Sequence, residues 1–355
     1  MRNKITLFLL CLILVINSGC ARKIKPVEEN VVTHQSSTNK FYGHKVTVFV
    51  NATPEQLEQY LTDPDKLKQE FGPIKIERIS EKRMEKVGDR ADYQVKILGN
   101  PIPYRMTMIH YRPGEEIWYM TETADEFVVS VLRYQYKKFK DGVRLTVRFE
   151  LEEPQDPFLR PLTEAINLQQ TVVRGVENGT AMIQAYFDKS LTVEGLQKEG
   201  LRGEPYVNFY SMNQSSVWIK APVQKVHEYV TSPETWQRWE EQFKVRNIGP
   251  CVTKLESGSC QAEINIMGLE YTMDFFSANY KPGEYVSSYF TNPLIGVGRF
   301  QTFLKPGEQG TEFIVAYMYQ VSELNPGGTE LLLNLAQLPR MIEQIALEVK
   351  QNIEK

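Results

Sequence analysis

Val217-Trp218-Ile219-Lys220-Ala221 repeats Val48-Phe49-Val50-Asn51-Ala52 at an offset of 169 residues. The same offset carries Tyr60-Leu61-Thr62-Asp63-Pro64 onto Tyr229-Val230-Thr231-Ser232-Pro233, and Gly99 onto Gly268. It also carries Tyr111-Arg112-Pro113-Gly114-Glu115 onto Tyr280-Lys281-Pro282-Gly283-Glu284, with no insertion between the first match and the last. One domain is therefore written twice. The length of 355 residues agrees with two domains. A copy of about 150 residues buries roughly 68–70% of its chain surface, enough for a core of its own. The period is far longer than the roughly 20–50 residues of a solenoid repeat.

Working outward, each copy shows the same run of patterns. In the first, Val46 to Val50 is extended, and Pro54 to Leu61 reads as a helix with proline in its first turn. Asp63-Pro64 breaks it, and a second short helix is expected to about Glu70. Then the period becomes two. Tyr93, Val95 and Ile97 alternate with polar residues, as do Tyr104, Met106, Met108 and His110, and Val143, Leu145, Val147, Phe149 and Leu151. That is the signature of antiparallel strands with one wet and one dry face. Pro113-Gly114 and Asp141-Gly142 supply turns. A helix is expected from about Phe158 to Tyr186. The second copy closes on Leu331, Leu335, Leu338, Ile342, Ile345 and Val349, one helical face, with Pro339 expected to kink it. Each copy thus reads as strand, two short helices, about six antiparallel strands and a long amphipathic helix. The class is α+β: a curved antiparallel sheet wrapped around a long C-terminal helix, twice. The sheet and the helix each have one apolar face, and each covers the other.

The first residues read as a targeting segment. Arg2 and Lys4 precede an apolar run, Ile5 to Ile16, that suits a signal peptide and is short for a membrane span. Ser18-Gly19-Cys20-Ala21 resembles the lipobox of bacterial lipoproteins, although Asn17 stands where leucine is usual. The resemblance implies cleavage after residue 19 and a diacylglycerol on the Cys20 thiol. It further implies the outer membrane, facing the periplasm, if the host is Gram-negative. Loss of residues 1–19 would take the net charge from −3 to −5. Residues 20–40 are polar and without period, and read as a flexible tether. The expected organisation is 1–19 signal peptide, 20–40 tether, 41–190 first domain, 191–205 linker and 206–355 second domain. Gly195, Gly200 and Gly203 in the linker suggest relative motion of the domains.

Two cysteines remain, Cys251 and Cys260, flanking a turn-like Lys254-Leu255-Glu256-Ser257-Gly258. A disulfide is one reading and two separate thiols the other, since the bond demands a strict geometry. No second ligand pair lies nearby for a metal.

Val217-Trp218-Ile219-Lys220-Ala221-Pro222-Val223-Gln224-Lys225-Val226, then Ser232-Pro233-Glu234-Thr235-Trp236-Gln237-Arg238-Trp239, resembles the START/polyketide cyclase superfamily, also called SRPBCC. Tyr280-Lys281-Pro282-Gly283-Glu284 matches the mid-sheet turn of that family. The first copy departs from it: Thr53-Pro54 replaces Ala-Pro, and its second helix lacks the tryptophans. The resemblance implies a helix-grip fold with an internal apolar cavity. Lipid carriers, coenzyme-Q binders, hormone receptors and aromatase/cyclases share it, so it speaks to fold more than to activity.

The residues themselves offer no recognisable catalytic set. No Gly-x-Ser-x-Gly elbow and no phosphate loop occurs. His34, His44, His110 and His227 do not pair at metal spacing, so neither metal nor cofactor is expected. Asp125-Glu126 and Glu152-Glu153 are neighbours that face opposite ways on a strand, and read as surface charge. Strand alternation puts His110 beside Met106 and Met108. It is either a polar contact or general base inside a pocket, or a strand-end histidine that is hydrogen-bonded or wet; the plainer second reading is taken. Tyr134 and Tyr136 share one face in the first copy. Tyr271, Met273, Phe275, Tyr317 and Tyr319 share inferred inward faces in the second. Tyrosine hydroxyls want partners when buried, and methionine adapts to varied apolar shapes, so this set suggests a roomy, partly polar interior. A plain packed core is the alternative for any one of them.

The expected function is a membrane-tethered binding or carrier protein for an apolar small molecule, such as a lipid, quinone or polyketide-like compound. Its partners would be that molecule and, through the N-terminal lipid anchor, the membrane. The alternatives are a structural or interaction lipoprotein of the cell envelope with filled cores, and a cyclase- or hydrolase-type enzyme. The dispersed net charge of −3 shows no basic stripe, which argues against nucleic acid. The sequence points to no particular protein partner.

Overall fold

Lys40 pairs across a strand ladder with Phe209, the residue that the 169-residue offset makes its own equivalent. The two copies therefore meet as an antiparallel, two-fold-like pair. The computed structural model describes residues 32–63, 66, 69–71, 74–78, 83–97, 100–123, 129–154, 167–201, 203–242, 245–247, 259–266, 269–292, 296–320 and 338–355.

In the first copy the described elements are β1 (Thr33–Val50), α1 (Pro54–Leu61), β2 (Gln69–Phe71), β3 (Ile74–Arg78), β4 (Arg90–Ile97) and β5 (Asn100–Arg112). They continue with β6 (Glu116–Thr123), β7 (Val129–Phe139), β8 (Gly142–Glu152) and α2 (Leu168–Phe187), and α3 (Val193–Glu199) follows. The second copy holds β9 (Gly203–Ile219), α4 (Val223–Val230), α5 (Pro233–Gln242), β10 (Val245–Asn247), β11 (Ser259–Ile266) and β12 (Leu269–Lys281). It ends with β13 (Tyr285–Asn292), β14 (Gly296–Gly307), β15 (Gly310–Gln320) and α6 (Leu338–Ile353). No helix among the described residues is long and apolar enough to cross a membrane.

All strands join one antiparallel sheet in the order β10-β11-β12-β13-β14-β15-β9-β1-β8-β7-β6-β5-β4-β3-β2. Its spine is the β1–β9 ladder, from Thr33 opposite Ser216 to Val46 opposite Gly203. On either side of that spine the pairing is the same, β1 with β8 and β9 with β15. The long helices cover the inner faces. Val176 and Ile183 of α2 pack into a core with Val46, Val50, Leu145 and Val147. Ile342, Ile345 and Val349 of α6, the stripe read from the sequence, pack with Val217, Ile219, Phe313 and Val315. Each such side chain contributes roughly 1.5–3 kcal/mol when fully buried.

Helix starts follow local chemistry. Thr53 Oγ1 accepts from the Gln56 amide at 3.3 Å and Gln56 Oε1 accepts from the Thr53 amide at 2.9 Å, a capping box with Pro54 just inside it. Asn167 caps α2 from a left-handed backbone (φ 50°), a conformation asparagine tolerates.

Several expectations are corrected. The tether reading of residues 20–40 fails from Thr33 onward, where the chain is already strand. In sequence its polar residues stand opposite a stretch of β9, Ser211 to Ser216, that is polar except for Met212. Such a ladder is held by backbone hydrogen bonds and carries no apolar alternation to read. The linker expected at 191–205 holds the helix α3, capped by Thr192, and its last residues open β9. Residues 32–355 form one compact unit, so the free relative motion inferred from the linker glycines is replaced by a shared sheet. Gln69 and Glu70 lie in β2, not in a second helix. Pro339 sits in the first turn of the described part of α6; residues 321–337 lie outside the described residues, as do 155–166 ahead of α2. Also outside them are Cys20, the signal segment and Cys251, while Cys260 is placed by its backbone on β11.

Candidate functional site

In the first copy the inner face gathers four of the expected residues. Met106, Met108, Tyr134 and Tyr136 share one buried cluster with Leu57 and Tyr60 of α1 and Ile183 of α2. The polar centre of this face is Glu58, half-buried on α1. Its Oε1 accepts from the Tyr111 hydroxyl at 2.6 Å, and its Oε2 from the Tyr136 hydroxyl and the Gly114 amide, both at 2.7 Å. Gly114 can present that amide because its φ of 77° costs a glycine nothing. Burial pushes the Glu58 carboxyl up, but the three donors outweigh it and leave it below its usual value. Burial and the adjoining carboxylate hold the Tyr111 hydroxyl up at about 12. Tyr119 donates to the Leu61 carbonyl at 3.0 Å. These hydroxyls are committed to the protein. Glu58 is an ionised, occupied acceptor, poorly suited to taking a proton from anything else.

His110 is not on this face. The β5–β6 register shifts between Met108 and His110, so Ile109 is an extra residue and the alternation restarts one place late. The bulge recurs in the second copy between Ser277 and Asn279, at the same offset. His110 therefore points to the opposite, outer face of the sheet and is buried there against the second copy. Its Nδ1 lies 3.1 Å from Asp274 Oδ2 and its Nε2 3.1 Å from Glu116 Oε1. With both ring nitrogens engaged, the pocket and general-base reading of His110 is withdrawn.

That outer face is where the copies pack on each other. Ile109, Trp118, Met120, Val129 and Val131 close against Tyr289 and Val297. The Phe41 ring lies 4.1 Å from that of Tyr210, tilted by 36°, beside Met318. Buried charges line the same interface. Glu150 accepts from the hydroxyls of Tyr206 at 2.9 Å and Tyr210 at 2.8 Å, with Arg133 at 3.7 Å. Arg299 lies 3.6 Å from Glu122. Glu152, read as surface charge, is buried and accepts from Asn39 Nδ2 at 2.5 Å. Desolvation raises its carboxyl to about 7, against the opposing pull of Arg299 and Asn39. Glu153 faces away and accepts from the Tyr42 hydroxyl at 3.1 Å, as alternation requires. Asp125 and Glu126 lie outside the described residues.

The second copy has a different inner face. Phe275 stacks on Phe290 at 6.0 Å and 19°, and Phe290 on Tyr317 at 5.2 Å and 15°. Tyr317 leads to Tyr319 at 5.7 Å. Met273, buried, sits two places before Phe275 on the same strand; the side chain of Tyr271 lies outside the description. On β14, Phe300 pairs in register with Tyr317. Trp236 and Trp239 of α5 stand edge-on to Phe300 at 6.2 and 6.4 Å and to each other at 5.4 Å. Both indole N–H groups are buried with no hydrogen-bond partner among the described residues, and Trp239 is only 3% exposed. A buried indole N–H usually has an acceptor, and one without costs about 1–3 kcal/mol.

The carboxylate hub of the first copy is not repeated. His227 stands at the place of Glu58. Leu304, whose amide bonds Glu284 as that of Tyr136 bonds Glu115, stands at the place of Tyr136. Duplication kept the backbone and let the interiors diverge. Trp236, Trp239, Phe290, Phe300 and Glu58 were not singled out as site residues from the sequence. The i, i+3 spacing of the tryptophans on a short amphipathic helix was the available signal. Among the described residues no group of three or more His, Cys, Asp or Glu is placed to hold a metal.

No protein family profile and no curated protein matches the chain. Among solved structures it is similar to the di-domain ARO/CYC StfQ from the steffimycin biosynthetic pathway: 11% identity over 87% of this chain and 96% of that one, TM-score 0.30. It is likewise similar to the di-domain ARO/CYC BexL, at 11% identity over 89% and 98%, TM-score 0.32. A protein from Chromobacterium violaceum matches 41% of this chain and 96% of its own length, at 15% identity and TM-score 0.32. Superpositions this loose leave the functional reading to the chain's own geometry.

Proposed function

We propose that the chain binds an apolar small molecule carrying a hydrogen-bond acceptor, in the helix-covered interior of its second copy. The observation that supports this most directly is the Trp236–Trp239 pair: two buried indole donors without acceptors among the described residues, beside Phe300 and the row Phe275, Phe290, Tyr317 and Tyr319. An aromatic wall supplies apolar contact, and a few placed donors fix orientation, which is the usual make-up of a small-molecule site. A quinone, a polyketide-like ketone or a lipid carboxyl would each satisfy those donors. The first copy serves as scaffold in this reading, since its Tyr111, Tyr119 and Tyr136 hydroxyls are bound to Glu58 and Leu61.

The same proposal places the protein in the cell envelope, anchored through a lipid on Cys20, on the strength of the lipobox-like Ser18-Gly19-Cys20-Ala21. Cys20→Ser would then shift the full chain from the membrane fraction to the soluble fraction and abolish labelling by a fatty-acid analogue. Equal membrane recovery of the variant would remove the anchor from the proposal.

Binding is tested on the full chain by titrating a short-chain quinone and a medium-chain fatty acid while following tryptophan emission and native mass. Saturable binding by at least one probe is expected. Trp236→Phe with Trp239→Phe keeps the rings and deletes the donors, and should weaken that binding about tenfold, one hydrogen bond's worth. No saturable binding, or binding unaltered by the double variant, would overturn the reading.

A further inference from the structure

We infer that His110, held as an imidazolium between Glu116 of the first copy and Asp274 of the second, is a proton-controlled clasp that sets how tightly the outer faces of the two halves of the sheet close. The bulge carries the argument. It turns Ile109 and His110 together to the outer face, where the Ile109 carbonyl accepts from Thr291 Oγ1 at 3.2 Å and the His110 ring reaches both carboxylates. The ring is 3% exposed and lies 4.7 Å from the Trp118 ring.

Each ring nitrogen faces a carboxylate oxygen. A neutral imidazole has a single N–H, so one nitrogen would aim its lone pair at an anion. Only the doubly protonated ring donates to both. Neutral donors hold the remaining carboxylate oxygens. Trp118 Nε1 at 3.1 Å and Gln135 Nε2 at 3.3 Å bond Glu116 Oε2, and Gln261 Nε2 at 3.3 Å bonds Asp274 Oδ1. The cations facing the cluster are Arg112, 3.6 Å from Glu116, and Arg133, which lies over the Trp118 ring at 4.8 Å and serves Glu150. Arg112 is exposed and shared with Glu115 at 3.7 Å, so the imidazolium is the positive charge held between the two carboxylates. Removing the histidine proton leaves them facing each other across the interface without that charge.

The clasp sits far from the spine. β5 and β12 are each the fourth strand out from the β1–β9 ladder, and β5 approaches both β12 and β13. Loosening it would part the outer faces at that end while the ladder holds. Burial lowers the ring's proton affinity, but the hydrogen bonds from two carboxylates outweigh it, and the net direction is upward. A raised folded value means that the closure is complete below about 6.5, the ordinary histidine value, and is lost as pH rises through the folded one. Asn279 occupies the equivalent place in the second copy, so only one side of the pair supplies the proton.

The test uses the full chain. Hydrogen exchange between pH 6 and pH 9, corrected for intrinsic base catalysis, should show the amides around Ile109 and Thr291 losing about tenfold protection. Those of Lys45 and Val46 in the spine, away from Glu152, should hold theirs. His110→Gln should remove most of that fall at Ile109 and Thr291. A flat wild-type profile, or the same fall in His110→Gln, would overturn the proposal. Glu152 titrates in the same interface, and its contribution persists in His110→Gln, so the difference between the two proteins isolates the histidine. If His110→Gln does not fold, ring nitrogen-15 shifts of His110 in Asp274→Asn decide the matter. A titration moved to lower pH supports the clasp, and an unmoved one refutes it.

Discussion

The ring of Phe290 lies over the backbone of Gly298, its ladder partner on the next strand, in the space a side chain there would need. That gap lets Phe290 stack on Phe275 on one side and reach Tyr317, two strands away, on the other. Gly298→Val is therefore expected to push Phe290 out of the row. Overpacking of this kind costs about 1–3 kcal/mol, and for a unit of this size a loss of a few degrees in Tm is expected from calorimetry. An unchanged melting temperature would mean that Phe290 swings aside freely and that the row is not a fixed wall.

Glu58 binds three donors, and Glu58→Gln can serve at most two of them well while losing the charge. A loss of about 2 kcal/mol in denaturant unfolding is expected, since hydrogen bonds to charged groups are worth roughly 1.5–3 kcal/mol each. The folded carboxyl lies below its usual value of 4.5. Its stabilisation is present above that value and fades as pH falls through the folded one. Wild type should therefore lose stability on acidification, and Glu58→Gln should lose less over the same range. Parallel pH profiles for the two would contradict this role.

Glu152 runs the other way. Its carboxyl is raised from 4.5 to about 7 by burial, so the folded protein holds a proton that the unfolded chain gives up. Stability should fall as pH rises from about 4.5 through 7, by an amount on the order of 2–3 kcal/mol. Glu152→Gln mimics the protonated acid and keeps an acceptor for Asn39. At pH 8 it should unfold at higher urea than wild type, and at pH 5 the two should nearly coincide. A variant no more stable at pH 8 would show that Arg299 already pays for the charge.

Separating the copies should expose the interface. A fragment of residues 32–201 would present Phe41, Ile109, Trp118 and Val131 to water together with the buried ions Arg133 and Glu150. It is expected to bind more of a hydrophobic dye than the full chain and to associate in size-exclusion chromatography. A monomeric, dye-silent fragment would show that the first copy is a free-standing domain.

Much of the fold was legible before the structure. The alternation at Val143 to Leu151 and the stripe Ile342, Ile345, Val349 report burial on one face, and burial follows from side-chain type and period alone. Duplication at a fixed offset required only comparison of the chain with itself. The site was less legible. Trp236 and Trp239 were visible as words resembling a family, but that their N–H groups find no acceptor among the described residues is a property of what packs around them. Residues 33–40 read as tether because a polar strand laid against a mostly polar partner carries no periodic signal.

His110 shows most clearly where reading by period ends. Strand period places it with Met108, and a single extra backbone residue, Ile109, puts it on the opposite face. Bulges leave no mark in composition, because they are settled by which residues pair across the ladder. The sequence by itself determined a duplicated unit, its strands and covering helices, and the apolar faces that drive them together. Only the tertiary structure decided that the units share one sheet, that Glu150, Glu152 and His110 lie buried between them, and that the interiors differ. Those outcomes depend on pairings between residues some 60 to 170 positions apart, such as Lys40 with Phe209, Tyr210 with Glu150, and His110 with Asp274. No local pattern encodes a contact at that range.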